Sequence, residues 1–355
     1  MKVFVGMSGG IDSSVSAALL KERGYDVEGI TMLIWKKDSP YPAPVNSNSC
    51  YNPEKEEDIE ATREICRKIG IPYHTVDISD QYEKTVLGNF RHEYMNGRTP
   101  NPCIWCNSKI KFGAMVDWDR EHFSFDYFAT GHYARIEMGD NGRYQLLRAL
   151  DYKKDQSYFL SRLSQTQLAS TLFPLGSMTK AEVRKIDEKY GFHAPGADES
   201  QDFYGGDYSD LLGVNDKEGE IVLADGTVLG HHRGFWHYTV GQRKGLGIAY
   251  SEPLYVISLD ADRNRVIVGT EEKTHQSRVY ISDIAWVGET SLADDKIYSV
   301  KIRSASPGAA ARCTSEGNGI AITFISSVKA ATPGQSAVIY DGDRVLASGI
   351  IERAE

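Results

Sequence analysis

In the stretch 101-NPCIWCN-107 two of the chain's five cysteines stand three positions apart, behind two prolines. At that spacing two sulfurs meet, so Cys103 and Cys106 suit thiol chemistry or metal ligation, against the plainer role of packing. Lys109 and Lys111 follow closely, and their charge favours a thiolate. A second stretch with chemical content is 6-GMSGGIDSSV-15. Its glycines let backbone approach a ligand, and the unpaired N–H groups of a helix start hold anionic oxygens, so phosphate is the natural guest. With no lysine it is not a Walker loop, and it is not GxGxxG. Asp12 beside bound phosphates would be repelled unless a cation such as Mg2+ lies between them.

The surrounding sequence supplies elements to carry these residues. Residues 2–6 read as a buried strand, 14–24 as a helix closed by Gly24, and 25–32 as a second strand. Residues 54–70 have Ile59, Ile65 and Ile69 at helical spacing, and 72–78 follow as a strand. Regular alternation of this kind predicts a doubly wound parallel α/β sheet. The pattern continues with 126–133 as a strand and 179–191 as a helix opened by Thr179 and Glu182, a capping-box pair. From about residue 205 glycines and aromatics become frequent, and 297–306, 320–327 and 336–351 alternate as antiparallel strands do. The expected organisation is a catalytic domain over 1–204, a small middle domain over 205–272 and a β-barrel over 273–355.

Composition is that of an ordinary globular chain, 41% hydrophobic and 25% charged. No run of apolar residues is long enough to span a bilayer and the N-terminus lacks a signal-type cleavage region, so a cytoplasmic location with no membrane partner is expected. An odd number of scattered cysteines fits reduced thiols. A formal net charge of -9 excludes nucleic-acid binding through a diffuse positive field but not through local clusters such as Lys153 with Lys154.

The segments SGGIDSS, 98-RTPNPCIWCNSKIKFG-113, 130-TGHYAR-135, 154-KDQSYFL-160, 239-TVGQRKGLGI-248 and 333-PGQSAV-338 together resemble the bacterial tRNA-specific 2-thiouridylases over essentially the full length. SGGxDS alone marks the wider pyrophosphate-loop superfamily; the remaining segments narrow it. The resemblance implies a pyrophosphate-loop fold and an ATP-dependent exchange of oxygen for sulfur at C2 of a wobble uridine. Sulfur would come as a persulfide from a cysteine desulfurase or a relay protein. Gly6, Met7, Ser8, Gly9, Gly10, Ile11, Asp12 and Ser13 would bind ATP, with Met32 and Gly131. Asn101 and Pro102 would border the flipped target base. His132, Lys154, Asp155, Gln156, Arg303, Ser304 and Gln335 would contact tRNA, and Cys106 falls on the nucleophilic cysteine.

The chain departs from the family pattern in two places. Relatives mostly carry aspartate where Cys103 stands, and their second catalytic cysteine follows a serine by four positions. Here Ser200 is present and that position is Tyr204. A phenol cannot carry a persulfide, so Cys103 is the expected partner of Cys106 in a rebuilt dithiol. An iron–sulfur cluster on Cys50, Cys103 and Cys106 is a second reading. Cys66 and Cys313 read as packed thiols, and the histidines of 231-HHRGFWH-237 lack a carboxylate partner for a metal site. A pyrophosphate-loop ligase adenylating a small molecule and a non-catalytic tRNA-binding relative are the rival functions.

Overall fold

The computed structural model describes every residue except 37, 44–48, 54–55 and 195–202, so Ser200 lies outside the described residues. The chain divides into two compact units: residues 1–86, 103–206 and 343–345, and residues 87–102, 207–342 and 346–355.

The first unit is built on β1 (Lys2–Gly6), β2 (Asp26–Leu33), β3 (Tyr73–Asp77) and β4 (Tyr127–Ala129), followed by the hairpin β5 (Ala134–Met138) and β6 (Tyr144–Arg148) and by β7 (Thr171–Leu172). The sheet order is β3-β2-β1-β4-β7, all parallel. A parallel sheet needs helices on its faces, which is why Val3, Phe4 and Val5 of β1 are wholly buried and apolar in succession. Helix α1 (Ile11–Glu22) is rich in small residues, Ser13, Ser14, Ser16, Ala17 and Ala18, all buried, so it lies close against its neighbours. Helix α2 (Glu56–Ile69) instead exposes a charged face and buries Ile65 and Cys66.

Strand β4 is shorter than the sequence suggests, stopping at Ala129 rather than continuing to 133. The cause is local. Thr130 Oγ1 turns to His132 Nδ1 at 2.7 Å, and Gly131 leaves the sheet to pass the start of α1. The capping-box helix forms as expected over Lys180–Tyr190, with Thr179 and Glu182 in reciprocal contact and Gly191 left-handed at φ 63°.

The second unit contains a small sheet, order β10-β11-β8-β9, of β8 (Gly219–Leu223), β9 (Val228–His232), β10 (Tyr255–Asp260) and β11 (Arg265–Gly269). After it come β12 (His275–Trp286), β13 (Ile297–Lys301), β14 (Ala309–Glu316), β15 (Gly319–Lys329), β16 (Ser336–Asp341) and β17 (Arg344–Ala354). Their order is β12-β15-β14-β13-β16-β17, and pairing of β12 with β17 closes a six-stranded barrel. Closure removes the free edges that such strands would otherwise expose. Val279, Val300, Cys313, Ile322, Ile339 and Ile351 fill the interior. The expected single segment 336–351 is two strands, because Gly342 takes φ 59° and turns the chain.

Candidate active site

Residues of the glycine loop come from the carboxyl end of the parallel sheet, where open α/β folds bind ligands. Gly6 ends β1, Met32 lies one residue from the end of β2, and Gly131 follows β4. The helix begins without a side-chain cap: Gly10 is the N-cap, where serine or aspartate would have taken up the first N–H groups. Within the loop Ser8 N donates to Ser13 Oγ at 3.2 Å, and Ser13 Oγ donates to the Gly10 carbonyl at 3.0 Å. Gly9 is left-handed at φ 73°. A Cβ on Gly131 would stand 2.7 Å from the Asp12 carbonyl carbon and 2.8 Å from Ser13 N, so only glycine lets this turn reach the loop.

Asp12 does not face the loop alone. Its Oδ1 accepts from the Lys180 ammonium at 2.7 Å and from the Tyr133 hydroxyl at 2.8 Å. The Tyr133 N–H donates to Gln156 Oε1 at 2.9 Å, which fixes the turn carrying His132. His193 brackets the loop from below, one ring nitrogen 2.8 Å from the Gly9 carbonyl and the other 2.7 Å from Asp187 Oδ1. Lys180, Tyr133 and His193 were not singled out in the sequence. Lys180 had a signal, as the first helical residue after the capping threonine; Tyr133 had one in TGHYAR.

Mg2+ suits this donor set in one respect. It is commonly held by one or two carboxylates together with substrate phosphates, and Asp12 Oδ2 takes part in neither of the bonds above. The Lys180 ammonium already meets part of the charge for which Mg2+ was invoked.

Pro102–Trp105 forms one helical turn and Cys106–Ala114 continues it as a wider π-helical run, a form frequent at functional sites. Cys103 and Cys106 are both half-buried on this helix, and Cys50 is exposed. The expectation of an activated thiolate does not hold. Burial pushes the Cys106 thiol up to about 11; Lys111 pulls it down and Cys50 adds to the rise, but desolvation wins. Lys109 is not among the charges that act on it. The iron–sulfur reading does not fit either: three ligands must surround one point, and among the described residues no three His, Cys, Asp or Glu side chains are so grouped. Cys66 and Cys313 are buried in their cores with thiols pushed up to about 12 by desolvation, in keeping with packing.

Burial, aided by Lys111, drives the His132 pKa well below the usual imidazole range, so the ring is neutral at physiological pH. Asp155 and Gln156 use their side chains inside the fold: Asp155 Oδ1 accepts from Ala149 N and Ser157 N at 3.2 and 3.1 Å. Lys154 beside them is half-buried. A cavity of about 280 Å³ lies elsewhere in the first unit, lined by Lys109, Phe112, Arg120, Arg162 and Gln167; neither the glycine loop nor Cys106 lines it.

In the second unit Gln335 Nε2 donates to the carbonyls of Thr99 and Pro100 at 3.0 and 2.9 Å, so the PGQ motif holds the segment leading to Asn101 and Pro102. Thr99 N donates to the Pro333 carbonyl at 2.8 Å, and Gly334, at φ 89°, has no room for a Cβ beside Thr99. Arg303 Nη2 donates to the Val240 and Ala330 carbonyls and to Thr332 Oγ1, with half-buried Ser304 next to it. Sequence expectation gave His237 no carboxylate partner; Asp216 lies 3.2 Å from its Nε2.

The protein-family model described as the tRNA methyl transferase HUP domain matches residues 1–204, the tRNA methyl transferase PRC-barrel domain 212–270, and the aminomethyltransferase β-barrel domain 276–351. The tRNA-specific 2-thiouridylase MnmA of Endomicrobium trichonymphae is 43% identical over 356 residues, 99% of each chain. That of Picosynechococcus sp. is 43% identical over 362 residues, 100% of this chain and 99% of its own. That of Geobacter metallireducens is 43% identical over 364 residues, 99% of this chain and 97% of its own. Identity sustained over nearly the whole of each chain, on a fold that carries the uncapped glycine loop, means that this protein belongs to the tRNA-specific 2-thiouridylase MnmA family.

Proposed function

We propose that the protein is an ATP-dependent tRNA sulfurtransferase that replaces the C2 oxygen of a wobble uridine with sulfur. The observation that carries this reading is the uncapped start of α1, with Asp12 held by Lys180 and Tyr133, in the same unit as the paired thiols Cys103 and Cys106.

The loop Gly6–Ser13 binds the phosphates of ATP through backbone N–H groups, with Met32 and Gly131 in the nucleotide site. Asp12 would hold Mg2+, whose charge would offset that of the phosphates. The uridine C2 oxygen attacks the α-phosphate and pyrophosphate leaves, giving C2 an adenylate leaving group. A persulfide on Cys106 then attacks C2 through its terminal sulfur and AMP departs. The Cys103 thiolate attacks the Cys106 sulfur, leaving thiouridine and a Cys103–Cys106 disulfide, which an external dithiol reduces. A Cys106 thiol that ionises near 11 is a poor nucleophile at neutral pH. Loading it with sulfur is what makes it reactive, because a persulfide ionises more readily than a thiol.

Asn101 and Pro102 border the extruded base, their segment held by Gln335. His132, Lys154, Arg303 and Ser304 contact tRNA. Residues 1–204 do the chemistry and 273–355 serve tRNA contact. A cysteine desulfurase or relay protein supplies the sulfur, and the tRNA substrate places the reaction in the cytoplasm.

The test is incubation with unmodified tRNA, ATP, Mg2+ and a persulfide source, with and without air, followed by nucleoside analysis. Formation of 2-thiouridine that requires both ATP and sulfur is the expected result. Adenylation of a small molecule with no tRNA product would overturn the reading.

A further inference from the structure

The glycine loop contains two consecutive glycines, Gly9 and Gly10, and the peptide between them is flanked on both sides by backbone that no side chain restrains. A trans peptide is planar, so the carbonyl of one residue and the N–H of the next point in opposite directions. Whatever fixes the Gly9 carbonyl therefore aims the Gly10 N–H. Among the described residues that N–H donates to no protein group.

The Gly9 carbonyl is held by His193, whose Nε2 lies 2.8 Å from it. A carbonyl oxygen only accepts, so Nε2 is the donor, and the Gly10 N–H is turned to the side away from His193. The other ring nitrogen meets Asp187 Oδ1 at 2.7 Å. The His193 and Asp187 side chains are 13% and 5% exposed, so little water competes for either contact. The turn that carries His193 is itself pinned. Gly191 closes the capping-box helix, its carbonyl accepts from the Lys68 ammonium at 3.0 Å, and Phe192 is buried and stacks on Tyr190 with ring centroids 5.1 Å apart. One helix thus reaches the loop at both of its ends. Lys180 in its first turn meets Asp12, and Asp187 near its close meets Gly9 through His193.

We infer that His193 is a positioning residue for the nucleotide: by holding the Gly9 carbonyl it turns the Gly10 N–H toward the phosphates, and Asp187 acts through it by orienting the ring. This rests on the reading of the glycine loop as the ATP site and adds the device that selects one orientation of the Gly9–Gly10 peptide. Without the donor, two adjacent glycines let that peptide flip. The flipped form presents a carbonyl oxygen to an anionic phosphate, which repels it. Apparent ATP affinity then falls with the fraction of molecules whose peptide is turned the productive way.

Two amides separate the roles of the two ring nitrogens. Glutamine carries its amide nitrogen to the position of Nε2, and asparagine carries its own to that of Nδ1. His193→Gln keeps a donor for Gly9, His193→Asn keeps a donor for Asp187 only, and His193→Leu keeps neither. ATP binding to the full-length protein is measured by calorimetry, and KM for ATP in tRNA-dependent pyrophosphate release. Wild-type protein comes first; no ATP binding would sink the reading of the loop itself. Given wild-type binding, His193→Leu and His193→Asn are expected to weaken it about tenfold, raising KM for ATP more than they lower kcat, and His193→Gln to recover it to within about threefold. Asp187→Ala should weaken binding about threefold alone and add nothing to His193→Leu, because the two act as a unit. Unfolding midpoints are taken for every variant, and if His193→Leu does not fold the Asn and Gln variants alone decide. Variants that are destabilised but bind ATP as wild type does would make His193 structural only and overturn the inference. So would a loss in His193→Gln equal to that in His193→Asn.

Discussion

Lys180 holds its ammonium 2.7 Å from Asp12 Oδ1, joining the first helical residue after the Thr179 cap to the start of α1. The Lys180 side chain is only 10% exposed, so this charge is little screened by water. The carboxylate of the glycine loop thus has a protein cation beside it before any nucleotide arrives. Lys180→Met should remove a charge-assisted bond worth about 1.5–3 kcal/mol and reduce tRNA-dependent pyrophosphate release by about tenfold or more. Asp12→Ala should abolish that release. Thermal unfolding and a pyrophosphate assay measure the two effects; wild-type release from Lys180→Met would make the pair structural only.

Gly131→Ala tests the close approach of the turn after β4 to the same loop. The added Cβ, 2.7 Å and 2.8 Å from main-chain atoms of Asp12 and Ser13, has no flexible side chain to displace, so the loop itself must move. ATP affinity measured by calorimetry should fall by about tenfold or more. Unchanged affinity would place the nucleotide elsewhere.

The parallel sheet, the capping-box helix and the barrel were legible because each has a period or cap that local sequence carries. So was the glycine loop, whose composition states its need for backbone freedom. Lys180 and Tyr133 were not, since their meaning lies in meeting Asp12 from 168 and 121 residues away. The cysteine pair was read for position but misjudged for ionisation. Spacing shows which sulfurs are neighbours, whereas the pKa of Cys106 is set by desolvation, which spacing does not reveal. Gln335 was assigned to tRNA by likeness alone, and its bonds to Thr99 and Pro100 give it a physical role.

Gln335→Ala should free those two carbonyls and loosen the segment before Asn101. In tRNA thiolation kinetics the expected change is a rise in KM for tRNA together with a fall in kcat, each by a few-fold, about 1 kcal/mol. An unfolding midpoint within a few degrees of wild type would accompany it. Kinetics indistinguishable from wild type would remove Gln335 from the positioning of this segment.

Asp119 is wholly buried in the helix Met115–His122, and among the described residues neither carboxylate oxygen has a hydrogen-bond partner. Burial raises its pKa from 3.8 to about 7. Between those values the folded chain holds a proton that the unfolded chain has lost, so the contribution of Asp119 to stability declines as pH rises through this window. Asp119→Asn should therefore raise the unfolding midpoint more at about pH 8, above the folded value, than at about pH 5, inside the window. Parallel midpoints across that range would contradict the assignment.

The most direct measurement is the nucleoside content of tRNA treated with Cys106→Ser protein, ATP and polysulfide, alongside tRNA-dependent pyrophosphate release from the same sample. The expected result is pyrophosphate release within about threefold of wild type and no 2-thiouridine, which separates adenylation at the glycine loop from sulfur transfer at position 106. Thiouridine formed at the wild-type rate by the serine variant would contradict it.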